Sequence, residues 1–458
     1  MKRCSRIQRL DVVYFVVLLL IGIWFFFFLG KGGYILEKDS NVFLEGQKSI
    51  LSFGYIVYPM FAKLCKVIFG ERYIEAIFII QSFMAISTSF VVTEYIRKVF
   101  SLTRKLGVLV FTLSFGPYTY TLPQYVANHG IMTEGISFPL FNLWMICAIE
   151  LYRNRKVRWY ILIIVLSILM AITRPQLLVF LVISIILVLD TLFMNRKVVE
   201  RKAYSSKRLL IAISGGIILC AVGIVVFCVT VKNSYFPQLT DAVAGRVLCT
   251  VQNDDGDLYT GEMRALFEIV FKDIDENGDR EVYFRKDYKR WEDICVSTNN
   301  NAKLIGKFIS ANRDMLNVSY HEYSTNEIIG EFIYPLLIKH WDGYLLMTFE
   351  LLLQSLVVSI FIHPDRVYLL CCFVAALMYL FCIVLLSILK KRKLWEFIVP
   401  MRIVLVVITI LCVLVNVVFI GIQRYVVYPF GWFYIATVVM LYGYYTMIRT
   451  HKMKEELI

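Results

Sequence analysis

The chain has 458 residues, of which 59% are hydrophobic and only 18% charged, and its net charge is +13. A soluble domain carries about 45–50% apolar and about 25% charged residues, so the composition excludes an ordinary water-soluble enzyme and predicts an all-α polytopic membrane protein. Nor does the positive charge point to nucleic acid, because Lys and Arg gather in short loops between apolar runs, the pattern that sets orientation in a bilayer.

The chain opens on the basic stretch "MKRCSRIQR", followed by "LDVVYFVVLLLIGIWFFFFLG". That run of roughly 20 apolar residues is long enough to cross a membrane. It is too long for a signal-peptide core and lacks an A-x-A cleavage pattern, so it predicts a retained helix. The Phe25–Phe28 run within it reads as lipid-facing bulk. Residues 30–73 form the first connection and carry Glu37, Asp39 and Glu45. Their part from Leu51 to Gly70 mixes apolar residues with Lys63 and Lys66, which suits one or two short helices lying on the membrane.

Further spans are predicted near 74–95, 106–122, 135–152, 159–173, 177–193 and 209–231, which completes a seven-helix module over residues 1–231. Residues 232–342 are polar enough for an external soluble loop domain. Within them "GEMRALFEIVFKDI" has helical spacing, and "NDDGD" and "ENGD" are turn chemistry. The next apolar stretch, from Gly343, carries Glu350 and Gln354. If it crossed, the basic "KKRK" at Lys390 would fall on the wrong side, so residues 343–366 are read as an interfacial helix. Three more spans, near 367–389, 397–421 and 429–448, make a C-terminal membrane module over 367–458. The total is about ten.

Basic loops recur at "RKVFSLTRK", "RNRKVR", "MNRKVVERKAYSSKR", "KKRK" and the tail "RTHKMKEELI". Of the connections between them, "NHGIMTEG" has no Lys or Arg, and "ITRPQ" and "GIQRYVVYP" have one Arg each. By the positive-inside rule both termini are expected to be cytoplasmic; the expected setting, a bacterial plasma membrane, does not follow from that rule.

Carboxylates midway across a span mark proton or ion paths. Here Asp11, Glu75, Glu94, Glu150 and Asp190 all sit near predicted span ends, which argues against an ion-coupled transporter. The remaining polar residues collect at the outer ends of helices: Glu37 and Asp39, His129 and Glu134, Arg174, and Arg424. A forked guanidinium can hold a lipid-linked phosphate as it leaves, and a carboxylate can take a proton from an attacking hydroxyl. Each residue has a plainer reading too. Asp39 can be a solvated loop acid, Glu134 a first-turn acid on a helix dipole, Arg424 a snorkelling side chain, Arg174 a hairpin cap before Pro175, and His129 a structural imidazole.

Two other activities stay open. A flippase of lipid-linked glycans predicts a polar cavity reaching both faces, and an O-antigen polymerase or ligase would lean on the loop arginines Arg246, Arg264 and Arg280. Of eleven cysteines, Cys249 and Cys295 lie in the polar segment and either pair or stay reduced. The stretch from Asp273 starts as a calcium loop does but has Phe284 where a bidentate Glu belongs.

Four stretches together resemble the GT-C superfamily of integral membrane glycosyltransferases, in particular the protein-mannosyltransferase and aminoarabinose-transferase type. They are "EKDS" in the first connection, "GYIVYPMFAKLCKVIFGERYIEAIFIIQ", "IMTEGISFPLF", and "RYVVYPFGWF" before a late helix. The resemblance covers roughly half the chain. It implies that Asp39 is the catalytic carboxylate, with Glu37 as a partner and Glu134 as a second acid. It implies that Arg424 and Arg174 hold the donor phosphate, and that Tyr58, His129 and Tyr425, within or beside the matched stretches, contact substrate. The family often places paired acids or Asp-x-Asp where this chain has Glu-Lys-Asp. A divalent cation at Asp39 and Glu134 is permitted, not required. The implied partners are a polyprenyl-phosphate-linked sugar donor, a glycan, lipid or protein acceptor, and the lipid bilayer, with no nucleic acid.

Overall fold

The computed structural model describes residues 2–29, 33–36, 40, 44, 56–122, 125–199, 243–276, 305–361, 368–418 and 426–455. Glu37, Asp39, Arg280, Cys295, Arg424, Tyr425 and the predicted span 209–231 lie outside them. The chain divides into two compact units. The first comprises Met1–Val231, Ala376–Ile410 and Val427–Ile458, the second Lys232–Ala375 and Leu411–Val426.

Among the described residues the first unit is helical throughout. Its helices are α1 (Lys2–Ile23), α2 (Val57–Phe69), α3 (Tyr73–Val99), α4 (Arg104–Leu113), α5 (Glu134–Asn154), α6 (Val157–Thr173) and α7 (Val179–Val199). In the second unit follow α8 (Gly261–Glu276), α9 (Arg313–Tyr320), α10 (Thr325–Lys339) and α11 (Trp341–Val358). Last come α12 (Tyr368–Lys391), α13 (Trp395–Val418) and, in the first unit, α14 (Phe430–Glu455).

Among the described residues five stretches are long and apolar enough to cross a membrane: Asp11–Phe28, Val57–Val99, Glu134–Asn154, Leu370–Lys391 and Trp395–Leu414. Val157–Thr173 and Gln176–Thr191 are shorter apolar helices. The protein is therefore a helical membrane protein. Within this set α5 is the most enclosed, 83% of its window being buried inside the protein against 22% for α12. That difference explains what each helix carries. A helix bathed in lipid must be apolar all round, whereas one surrounded by protein can hold polar groups that its neighbours satisfy. So α5 carries Glu134, Ser137, Asn142 and Glu150, all buried, and α12 carries no charged residue before Lys390.

Polar side chains tie the helices to α5. Trp144 Nε1 donates to Ser167 Oγ and Ser184 Oγ, both at 2.9 Å, joining α5 to α6 and α7. Trp432 Nε1 donates to Asn142 Oδ1 at 2.9 Å, joining α14 to α5. The start of α14 also meets the end of α4 so closely that a Cβ at Gly431 would run into the Leu113 carbonyl.

Two local expectations change. The span predicted near 106–122 is not one helix. α4 stops at Leu113 and the chain turns through a 3-10 segment, Gly116–Thr119, because Gly116-Pro117 cannot carry the α ladder onward. The Phe25–Phe28 run is not all lipid-facing. It forms a π-helical turn, Trp24–Phe28, in which Phe25 and Phe26 are buried. Their rings pack on Phe115 with centroids 4.8 and 5.1 Å away.

The second unit has its own core, in which Leu266, Phe267 and Val270 of α8 meet Ile329, Phe332 and Leu336 of α10. α10 starts on a capping box, with the Glu327 carboxylate 2.6 Å from the Ser324 N–H. The buried Asp255 carboxylate accepts from the Gln252 N–H at 2.7 Å and meets Lys339 Nζ at 2.6 Å and His340 Nε2 at 2.8 Å. Burial alone would raise its pKa, but these donors outweigh it and hold the carboxyl below its usual range. Cys249 is buried, and its thiol donates to the Gly245 carbonyl at 3.2 Å.

Candidate functional site

The site begins with the turn that delivers α5. Residues 125–133 leave α4 and approach α5 through a short 3-10 segment, Ala127–His129, and three contacts pin this turn. The first is Gln81, in the second turn-pair of α3. Its Nε2 donates to the carbonyls of Asn128 at 2.6 Å and Gly130 at 3.1 Å, while its Oε1 accepts from Tyr58 Oη at 3.2 Å. Gln81 reaches that far because residue 135 is glycine: a Cβ there would collide with the Gln81 amide. The second contact is the Asn128 amide, which donates to Ser82 Oγ at 3.0 Å. The third is His129, fully buried, with Nε2 2.9 Å from the Phe26 carbonyl and its ring edge-on to Phe78. Burial pushes the His129 pKa below its ordinary value, although the Phe26 carbonyl pulls the other way.

The first connection joins the same turn. Ile35 N donates to the His129 carbonyl at 2.8 Å, and Ile131 N donates to the Ile35 carbonyl at 3.1 Å, an isolated parallel bridge. Further along, Ser40 is fully buried, and Leu44 packs in a cluster with Tyr58, Ala62, Ile131, Met132 and Ile136. The residues on either side of Glu37 and Asp39 are thus anchored on the wall of this turn.

At the head of α5 stands Glu134. Its carboxylate forms an ion pair with the Arg174 guanidinium, with both side chains almost fully buried, and accepts from Thr133 Oγ1 at 3.1 Å. Arg174 closes α6. Its N–H donates to the Met170 carbonyl, and its own carbonyl accepts from Leu177 N, both at 2.9 Å. Its backbone therefore does cap the hairpin before Pro175, while its side chain does something else. Tyr428 lies within electrostatic reach of the guanidinium and sits 2.8 Å from Ser137 Oγ on α5. The start of α2 closes the group, with Ile56 N donating to the Ile172 carbonyl at 3.0 Å.

The structure thus brings together Glu134, Arg174 and Tyr58 of the predicted set, with His129 as a brace between the turn and the end of α1. Asp39, Glu37, Arg424 and Tyr425 lie outside the described residues. Sequence reasoning did not single out Tyr428, Ser137, Gln81 or Asn128. Tyr428 stands four residues past Arg424 in the same "RYVVYPFGWF" stretch, which was the available signal. Of the loop arginines, Arg246 is buried against the Tyr344 ring. Arg264 is exposed between Asp257 at 3.4 Å and Glu268 at 3.6 Å.

Chemically the group is a carboxylate held by a guanidinium and the Thr133 hydroxyl in a place nearly closed to water. Such a pair is costly to desolvate, and Thr133 Oγ1 shares the carboxylate with the guanidinium. It suits the binding of a polar headgroup more than that of a metal. No three carboxylates, thiols or imidazoles converge among the described residues, and a guanidinium on Glu134 is an unfavourable neighbour for a cation. Comparison with protein-family models, with curated proteins and with solved structures gives no match to this chain.

Proposed function

We propose that this chain is a GT-C-like membrane glycosyltransferase with about ten spans. It moves a sugar from a polyprenyl-phosphate carrier to an envelope acceptor on the external face, with both termini cytoplasmic. The observation that carries the reading is the convergence at Glu134. Elements far apart in sequence bring a carboxylate, a guanidinium and two tyrosines to one end of the helices, where α5 begins and α6 ends. The basic loops lie at the opposite ends of those helices, and residues flanking Asp39 are anchored beside the group.

In this reading Asp39 takes the proton of the acceptor hydroxyl as its oxygen attacks the anomeric carbon. The bond from that carbon to the phosphate oxygen breaks, and the electron pair leaves with the polyprenyl phosphate. Arg424 meets the charge on that phosphate. Glu134 stays ionised because Arg174 and Thr133 hold it, and it receives hydroxyls of the sugar or acceptor. Arg174 is then first a partner of Glu134, and its share in holding phosphate is secondary. Glu37 is assigned as the partner acid of Asp39, and Tyr425 and Tyr58 as substrate contacts.

The test compares cells lacking the gene, complemented with the wild-type chain or with Asp39→Asn, by mass spectrometry of envelope glycans. The wild type restores a glycan of added sugar mass and Asp39→Asn does not. An envelope profile that the gene does not change sinks the proposal.

A further inference from the structure

We infer that α10 and α11 form one continuous lipid-contact surface, by which the second unit rests on the bilayer at headgroup level. This does not depend on the reaction proposed above. The two helices run on almost without a break. His340 N donates to the Leu336 carbonyl at 2.8 Å and Tyr344 N to the His340 carbonyl at 3.0 Å, so the two helices meet at this one residue, whose φ of −112° and ψ of 29° depart from helical values.

Along this composite helix Tyr334, Ile338, Trp341, Leu345 and Phe349 recur at spacings of three and four, which places them on one face. All five are more than half exposed, Tyr334 at 66% and Trp341 at 60%, and Leu346 and Leu353 flank them at 50% and 48%. The opposite face holds Phe332, Leu336, Met347 and Leu351, which are buried. Large apolar side chains in an unbroken exposed row do not stand in water.

Lipid is the occupant for three reasons. The next described helix in the chain is α12, whose stretch Leu370–Lys391 is long and apolar enough to cross, and its first turns, which belong to the same unit, expose Leu370 and Phe373. Trp and Tyr are the residues that favour the headgroup boundary. Asp342 is exposed beside the row and Glu331 one turn before it, so the helix lies in the interface rather than entering the acyl core. The sequence placed an interfacial helix only from Gly343 onward; the structure extends the apolar row back to Tyr334, into the segment read as soluble.

Two readouts on the full chain in nanodiscs of native lipid test this. In hydroxyl-radical footprinting, Tyr334 is the more exposed of two tyrosines, 66% against 40% for Tyr323 off the row. Lipid cover inverts the order, so that Tyr323 is oxidised faster. Faster oxidation of Tyr334 overturns the inference. Photoreactive benzoylphenylalanine in place of Trp341, Leu345 or Phe349 then tells lipid from protein. Adducts of phospholipid mass support the proposal. A cross-linked dimer, a cross-link to another protein, or no lipid adduct at any of the three positions overturns it.

Discussion

The two ends of the first unit hold their charges differently. Where α5 ends and α6 begins, ion pairs are several and partly solvated. Arg97 lies 2.8 Å from Glu94, Arg104 2.5 Å from Asp11, Arg153 2.9 Å from Glu150, and Arg402 2.9 Å from Asp190. Where α5 begins, the ion pair among the described residues lies among hydroxyls and amides, and it is buried on both sides. The first arrangement is what helix ends that meet water look like. A buried pair adds little to stability over an apolar replacement of the same shape, so its presence at the Glu134 end is better explained by use.

Removing one member of a pair measures the contrast. Arg174→Ala strands a buried carboxylate and should lower stability by about 3–5 kcal/mol, read as loss of monodisperse protein or a lower Tm in detergent. The double variant Glu134→Gln with Arg174→Met should recover most of that loss. If it does not, the pair matters for folding and the contrast with the other end collapses. Gln81→Leu, which releases two loop carbonyls and Tyr58, should cost about 1–3 kcal/mol, seen as faster amide exchange over residues 127–131. At the basic end Arg402→Gln should cost no more than about 1 kcal/mol, because both partners of that pair are partly solvated. A cost there equal to that of Arg174→Ala would erase the distinction.

The smallest effect concerns acid. His129 is neutral and buried, with a folded-state pKa below its unfolded value of about 6.5. The unfolded chain therefore binds the extra proton, and stability is lost as pH falls below about 6.5, by at most about 1.4 kcal/mol per pH unit. Thermal melts between neutral and mildly acidic pH should show that slope in the wild type and a shallower one in His129→Gln.

The sequence made the helical membrane character legible, since apolar length and basic loops are local signals. It also showed that Glu134 and Arg174 end up at helix ends. It could not show that they meet, because forty residues separate them and pairing depends on how α5 packs on α6. Hence Arg174 read as a phosphate ligand when its first partner is a carboxylate. Gln81 was invisible as a clamp for the same reason: its function depends on Gly135 across the helix interface. The early stop of α4 was legible in Gly116-Pro117, but the surrounding apolar residues hid it. Tyr334 and Ile338 were missed because the row they begin crosses from a segment read as soluble into one read as interfacial.

The most direct test separates use from stability. Turnover of lipid-linked sugar is measured in nanodiscs of native lipid, alongside Tm, for the wild type, Asp39→Asn, Glu134→Gln and Arg402→Gln. Asp39→Asn should lose turnover with an unchanged Tm, Glu134→Gln should lose most of it, and Arg402→Gln should keep it. Full turnover in Asp39→Asn, or losses that simply track Tm at both ends of the unit, would contradict the account.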